Sequence, residues 1–469
     1  MPEATTSRAE GVLSQETSTA PQGELSSRET TTAQNATVPP VGEAPAVRTQ
    51  PTNTSVSGGP VTDHAPLLTL DQCIEIALRK NPGVLAMRYG VDVSQSRVGE
   101  ARSGYYPQVS ASASYDRAKS ATGTPGAVSG GSTPVNTATG SVILNQTIYD
   151  FGKTSSAVDI AKYNFSSSRL DLQATQDAVI LSVKQAYYGV LQAKRNRGVA
   201  SDVIKQFQLH LDQAKGFYDV GTKARIDVIN AEVGLSNSKL SLINAENALK
   251  IAWVNLNNAM GTPDAPEYDI EDNLSFQKYP VTLEEARARA FDNRPDLKSV
   301  VAKREAAESN ISLQRSGYYP VLSGNASYTK SEIDMQPYTV NTGWIAGVTL
   351  TVPLFSGFLT SHQVAEAKAN LYILKANEES LRQQILLDVR QAYLNLQAAE
   401  ASISTAGLAA SQAKENLDLA NGRYAAGVGS PIEVSDAFAT YVTAQASYTS
   451  ALANYKTAQA SIEKAMGVR

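Results

Sequence analysis

The chain of 469 residues is poor in the groups that build most catalytic and disulfide-stapled proteins. It has one cysteine, Cys73, which excludes an intramolecular disulfide and a cysteine-built zinc cluster. Cys73 lies in an amphipathic segment, Leu70–Leu78, and reads as a small buried apolar residue rather than a reactive thiol. The three histidines, His64, His210 and His362, are far apart; the first reads as linker and the others as helix surface. No metal-spacing motif or nucleophile elbow accompanies them, so neither an enzyme nor a metal or cofactor site is expected. Charged residues make up 18%, below the roughly 25% usual for soluble domains, leaving Ser, Thr, Asn, Gln and Ala to form much of the surface. A formal net charge of -4 argues against nucleic acid as a partner. There is no run of about 20 apolar residues, so no transmembrane helix is expected.

Residues 1–66 are rich in Thr, Ser, Pro, Gln and Glu, contain no Phe, Trp or Tyr, and read as disordered. They show no apolar secretory core, and Cys73 sits inside a helical pattern rather than at a lipid-processed end, so no export signal is legible there.

What the chain has is periodicity. Ile385, Val389, Ala392, Leu396, Ala399, Ile403, Ala406, Ala410, Ala413, Leu417, Ala420 and Tyr424 recur at steps of four and three. That 3.5-residue period is the one that left-handed supercoiled helices require. The same seam occurs 206 residues earlier, from Val179 to Tyr218, broken only by Arg197. Return seams run from Val228 to Ala259 and from Val434 to Ala465, with large and small residues alternating so that each bulky side chain faces space left by Ala. The pattern leading to each tip lasts roughly 60 residues, a rod of roughly 90 Å.

The duplication extends further. Gly104-Tyr105-Tyr106-Pro107 returns as Gly317-Tyr318-Tyr319-Pro320, and Gln185-Ala186-Tyr187 as Gln391-Ala392-Tyr393. The organisation expected is a first copy at 67–262, a linker at 263–279 and a second copy at 280–469. Between the helices of each copy lie two strand-like segments. Val109, Ala111, Ala113 and Tyr115 alternate with polar residues, as do Leu322, Gly324, Ala326 and Tyr328. Trp344, Ala346, Val348, Leu350, Val352 and Leu354 form a period-two face, whereas Val142–Ile148 is less regular because Gln146 falls on the apolar side.

Strands of about ten residues suit a tilted membrane crossing. Tyr105, Tyr106, Tyr318, Tyr319, Tyr149 and Phe355 cluster at the strand–helix junctions, where an interfacial aromatic girdle would lie. Asp116–Gly140 and Thr329–Gly343 read as polar exposed loops. Four strands cannot close a barrel with a wet interior, and their edges cannot stay open in lipid, so several copies must share one barrel. Two other readings stay open: a soluble hairpin packed on its own helices, and a structural coiled-coil tether without a pore.

The order of helix, strand pair and long hairpin, repeated with a Tyr-x-x-Gly turn at each tip, resembles the TolC-like outer-membrane efflux family over nearly everything after residue 67. The turns run from Tyr218-Asp219-Val220-Gly221 to Ile226-Asp227-Val228, and from Tyr424-Ala425-Ala426-Gly427 to Ile432-Glu433-Val434. The resemblance implies a mixed α and β membrane protein. Long α-helical coiled-coil hairpins and four transmembrane β-strands per chain would build a trimeric 12-stranded β-barrel and a periplasmic α-barrel.

It further implies a homotrimer in outer-membrane lipid, a passive exit duct for efflux or type I secretion, opened by a periplasmic adaptor and an inner-membrane pump. The chain has no Walker-type phosphate loop, so the energy would come from that partner. On this reading Tyr218, Gly221, Tyr424 and Gly427 form the adaptor-docking tip, and Glu433, Asp436 and Asp227 the channel constriction. An Arg that some members carry between the turn Gly and the acidic pair is replaced here by Gly429, with Lys223 and Arg225 as candidate substitutes.

Overall fold

The computed structural model describes residues 67–119, 134–266, 268–334 and 338–469. The disorder expected for 1–66, and the centre of the first strand-connecting loop, lie outside the described residues. The first copy comprises β1 (Leu67–Leu68), α1 (Leu70–Lys80), α2 (Pro82–Arg102), β2 (Gln108–Ala118), β3 (Val135–Tyr149), α3 (Lys153–Asp219) and α4 (Arg225–Met260). After β4 (Asp269–Ile270), the second comprises α5 (Leu283–Asn293), α6 (Pro295–Arg315), β5 (Val321–Asp334), β6 (Thr339–Thr351), α7 (Leu359–Ala425) and α8 (Pro431–Ala465).

Local chemistry sets the helix starts. Thr69 Oγ1 accepts from the Gln72 amide at 3.3 Å while the Gln72 side chain accepts from the Thr69 amide at 3.0 Å, a reciprocal cap on α1. Pro82 and Pro295 occupy the first position of α2 and α6, where a missing N–H costs nothing. The two long helices, α3 and α7, each run 67 residues, about 100 Å at 1.5 Å per residue.

The seams are the buried faces. On α7, Ile385, Val389, Leu396, Ile403, Ala410, Ala413, Leu417, Ala420 and Tyr424 are all buried, and on α8 so are Val434, Ala437, Ala451, Tyr455, Ala458, Ile462 and Ala465. Arg197, the break in the α3 seam, is exposed and lies 3.6 Å from Glu246. Two corrections follow at the tip end of α3. Tyr218 is not the last seam residue; it is exposed, and Phe217 packs inward instead. His210 is not on the helix surface but buried. Near the tip the inward face of α3 carries Val203, Phe207, His210, Leu211 and Ala214, with Phe217 partly buried beside them.

Cys73 is fully buried, as expected, and burial pushes its thiol up to about 11. His362 is exposed.

Within the linker expected at 263–279, residues 268–279 form a strap. β4 pairs in parallel with β1, and Ile270 and Leu274 are buried in the core that also holds Tyr187, Leu256, Ile385 and Ile462. Tyr187 Oη donates to the Glu271 carbonyl at 2.7 Å, and Tyr455 Oη to the Gln277 carbonyl at 2.8 Å. Lys194–Asp269 at 2.7 Å and Lys278–Glu400 at 2.8 Å fasten it to α3 and α7. Sequence periodicity could not reveal this, because the strap's backbone bonds to side chains from other elements.

The four long strands form one antiparallel sheet in the order β2-β3-β5-β6, so the copies join through β3 and β5, and β2 and β6 are open edges. The strands are longer than ten residues, at 11, 15, 14 and 13, because pairing continues into the segments read as loops. Asn136↔Asp334 to Gly140↔Lys330 are paired there. Apolar alternation marks only the part of a strand that faces an apolar medium, whereas the ladder itself needs only backbone. β6, conversely, stops at Thr351, before Pro353, so Val352 and Leu354 lie beyond it.

Candidate membrane band and channel tip

Register turns the alternation into faces. Val109↔Leu144, Leu144↔Ala326 and Ala326↔Ala346 form one row, and Ala111, Val142, Tyr328 and Trp344 the next. Gly324↔Val348 and Leu322↔Leu350 continue this apolar face. The opposite face is mostly polar, with Ser110, Ser112, Ser141, Asn325, Ser327 and Thr329, and is broken by Ile143 and Ile345 in the row of Ser110 and Ser327. Apolar residues on the first face are largely exposed, with Trp344 at 76% and Val348 at 66%. A sheet largely polar on one face and apolar on the other, with no described element packed over the apolar side, is the pattern of a lipid-facing strand set. Among the described residues no helix is long and apolar enough to cross a membrane.

Gln146, the apparent flaw in β3, is followed by a register shift between Thr147 and Tyr149. The bulge looks after Ile148 as the extra residue and sets Tyr149 opposite Leu322 on the apolar face. Tyr149 then meets Phe151 edge-on at 4.7 Å, and Phe151 stacks on Tyr319 at 5.6 Å. Tyr105, Tyr106, Tyr318 and Phe355 are exposed near the same strand ends. Phe151 and Phe358 complete the aromatic set and were not singled out in the sequence. Both take positive φ, 52° and 65°, beside Gly152 and Gly357 at 91° and 63°. Two successive left-handed residues thus turn each strand into its long helix, and the phenylalanine at each costs roughly 1 kcal/mol that glycine would not.

At the far end of the hairpins, Gly221 and Gly427 close α3 and α7 with φ of 74° and 78°, a conformation glycine adopts freely. The tip residues then part company. Tyr218 is 45% exposed, whereas Tyr424 is 1% exposed and packs edge-on against His210 at 4.5 Å and Phe217 at 5.9 Å. Its hydroxyl is buried with no hydrogen-bond partner among the described residues. Asp227, half-buried, is electrostatically coupled to both His210 and Tyr424. Burial pulls the His210 imidazole below its ordinary value, Asp227 opposing, and burial raises the Tyr424 phenol.

Lys223 Nζ lies 5.8 Å over the Tyr424 ring and donates to the Gly429 carbonyl at 3.4 Å. Glu433 and Asp436 are exposed on the first turns of α8. Glu433 pairs with Arg423 at 3.4 Å; Asp436 makes no ion pair among the described residues. So Tyr424, Asp227 and Lys223 are brought together with His210, while Glu433 and Asp436 stand outside that cluster. Arg423 and His210 were missed by the sequence reading; a cation at a helix C-terminus and a histidine one position from a seam residue were the available signals.

The outer membrane efflux protein family matches residues 73–262 and 286–468. The chain belongs to that family. It is 25% identical to the outer membrane protein TolC of Escherichia coli K12 over 414 residues, 85% of this chain and 82% of TolC. It is 26% identical to CyaE of Bordetella pertussis, covering 82% and 81% of the two chains. A solved structure of CusC, a protein that forms a transmembrane channel, superposes with a TM-score of 0.75 at 15% identity, covering 89% of this chain and 96% of that one. As an outer membrane efflux protein the chain lies in the outer membrane through its sheet, with its helical hairpins extending into the periplasm, and its general role is that of an exit duct. The TolC-like mixed α and β channel fold expected from the tandem hairpins is the fold found.

Proposed function

We propose that three copies assemble into one closed 12-stranded barrel and one helical tunnel, a passive duct that opens when a periplasmic adaptor and an inner-membrane pump engage the hairpin tips. The observation that carries this reading is the sheet with two open edges and one bare apolar face. In lipid such edges must be paired, and pairing β6 of one copy with β2 of the next closes a ring without altering either strand.

Unpartnered helix stripes support the same assembly. Ile373, Leu387, Leu394 and Leu408 of α7 recur at multiples of seven and are each more than half exposed. Ile229, Val233, Leu240, Ile243, Ile251 and Val254 form a matching exposed stripe on α4. Each stripe is a second seam with no helix on it among the described residues, which a neighbouring copy would supply. At the tips, exposed Val220, Ile226, Val428 and Ile432 offer an apolar surface for an adaptor. Tyr424, being buried, supports that surface instead of forming it, and Tyr218 remains a contact residue.

The test is the mass of the purified, detergent-extracted protein by light scattering, followed by conductance in planar bilayers. A trimer that conducts is expected, with Leu394→Glu reducing it to monomers. A well-folded monomer without conductance would replace the duct by a tether.

A further inference from the structure

The turn that begins α8 excludes a side chain at position 429. A Cβ on Gly429 would lie 2.7 Å from the Tyr424 amide nitrogen and 2.9 Å from the Arg423 carbonyl carbon. The loop folds this tightly because the amides of Val428 and Gly429 both donate to the Arg423 carbonyl, at 3.1 and 2.9 Å. An arginine at position 429 would therefore force the end of α7 and this turn apart. The same fold brings the Arg423 side chain, projecting from the end of α7, to Glu433 on the first turn of α8, with Nε 3.4 Å from Oε2. Asp436, three residues on, has no cationic partner among the described residues.

We infer that Arg423 sets the ion selectivity of the duct's tip, neutralising Glu433 and leaving Asp436 as the uncompensated carboxylate of the second-copy turn. This rests on the reading that three tips meet around one axis. The turn then carries one net negative charge per chain where the acidic pair alone would carry two. Carboxylates around a narrow opening concentrate cations and impede anions, so halving the net charge weakens that preference. The pair is half exposed on both sides, so its contribution to stability is small and its effect is on the local field.

The experiment is the reversal potential of full-length protein in planar bilayers under a potassium chloride gradient, for wild type, Arg423→Ala, Glu433→Gln and the double variant. Arg423→Ala is expected to shift the potential towards the potassium equilibrium value and Glu433→Gln away from it. The double variant should return to wild type, because it restores the same net charge. Arg423→Lys, which keeps the charge, should hold the wild-type value and guards against misfolding of the alanine variant.

A shift with Glu433→Gln but none with Arg423→Ala overturns the inference and leaves the constriction in place. Conductance that ignores Arg423→Ala, Glu433→Gln and Asp436→Asn alike removes the constriction itself.

Discussion

Lys223 and Gly429 are the same position in the two copies, 206 residues apart, and they touch: the ammonium of one turn donates to the carbonyl of the other at 3.4 Å. The duplication therefore meets itself at the tip, with a donor in one copy and only backbone in the other. That contact joins the two hairpins of one chain where the duct is proposed to close.

Lys223→Ala should loosen this join. A charge-assisted bond at a half-exposed site stabilises by about 1 kcal/mol, so the open fraction should rise about fivefold. Single-channel recording of open probability checks this; unaltered gating would mean that the hairpins separate elsewhere.

His210 should make the tip sensitive to acid. Its folded value is depressed by burial, with Asp227 of α4 opposing and Tyr424 of α7 facing it. A depressed value means that the stability is fully present above the ordinary histidine value of 6.5 and is lost as pH falls below it, through the folded value. Hydrogen exchange of the tip ends of α3 and α7 between pH 8 and about pH 5 measures it. His210→Phe should flatten the profile, and an equal acid response in that variant would assign it to another group.

The two tip tyrosines should behave differently despite their equivalent sequence. Tyr424→Ala empties a buried site between the hairpins and should cost about 3–5 kcal/mol. Tyr218→Ala, at an exposed site, should stay within about 0.5 kcal/mol. Denaturant midpoints of the two variants decide the matter, and equal losses would restore symmetric tips.

The faces assigned by register are open to a charge scan. Val348→Arg lies on the apolar face opposite Gly324 and should cost about 2–4 kcal/mol of folding in lipid. Thr349→Arg, opposite Ser323 on the polar face, should fold normally. Urea titration in liposomes compares them; the reverse order would invert the sheet.

The sequence by itself determined what depends on local period. A 3.5-residue seam can bury only one face of a helix, so Ile385 through Tyr424 and Val434 through Ala465 were legible as core. Strand alternation likewise fixed which residues share a face, and the tandem offset fixed the order of elements.

Tertiary structure decided what depends on atoms distant in sequence. Only folding shows that residues 268–279 strap both long helices, that β3 slips one residue at Ile148, and that polar segments remain paired beyond the apolar band. Only folding also buries His210 while leaving Tyr218 exposed, and sets Arg423 against Glu433. Period is a property of one helix or strand, but burial at the tip depends on how two hairpins pack against each other, and the Arg423–Glu433 pair on how tightly one turn folds. Two turns that share the Tyr-x-x-Gly pattern can therefore do different work.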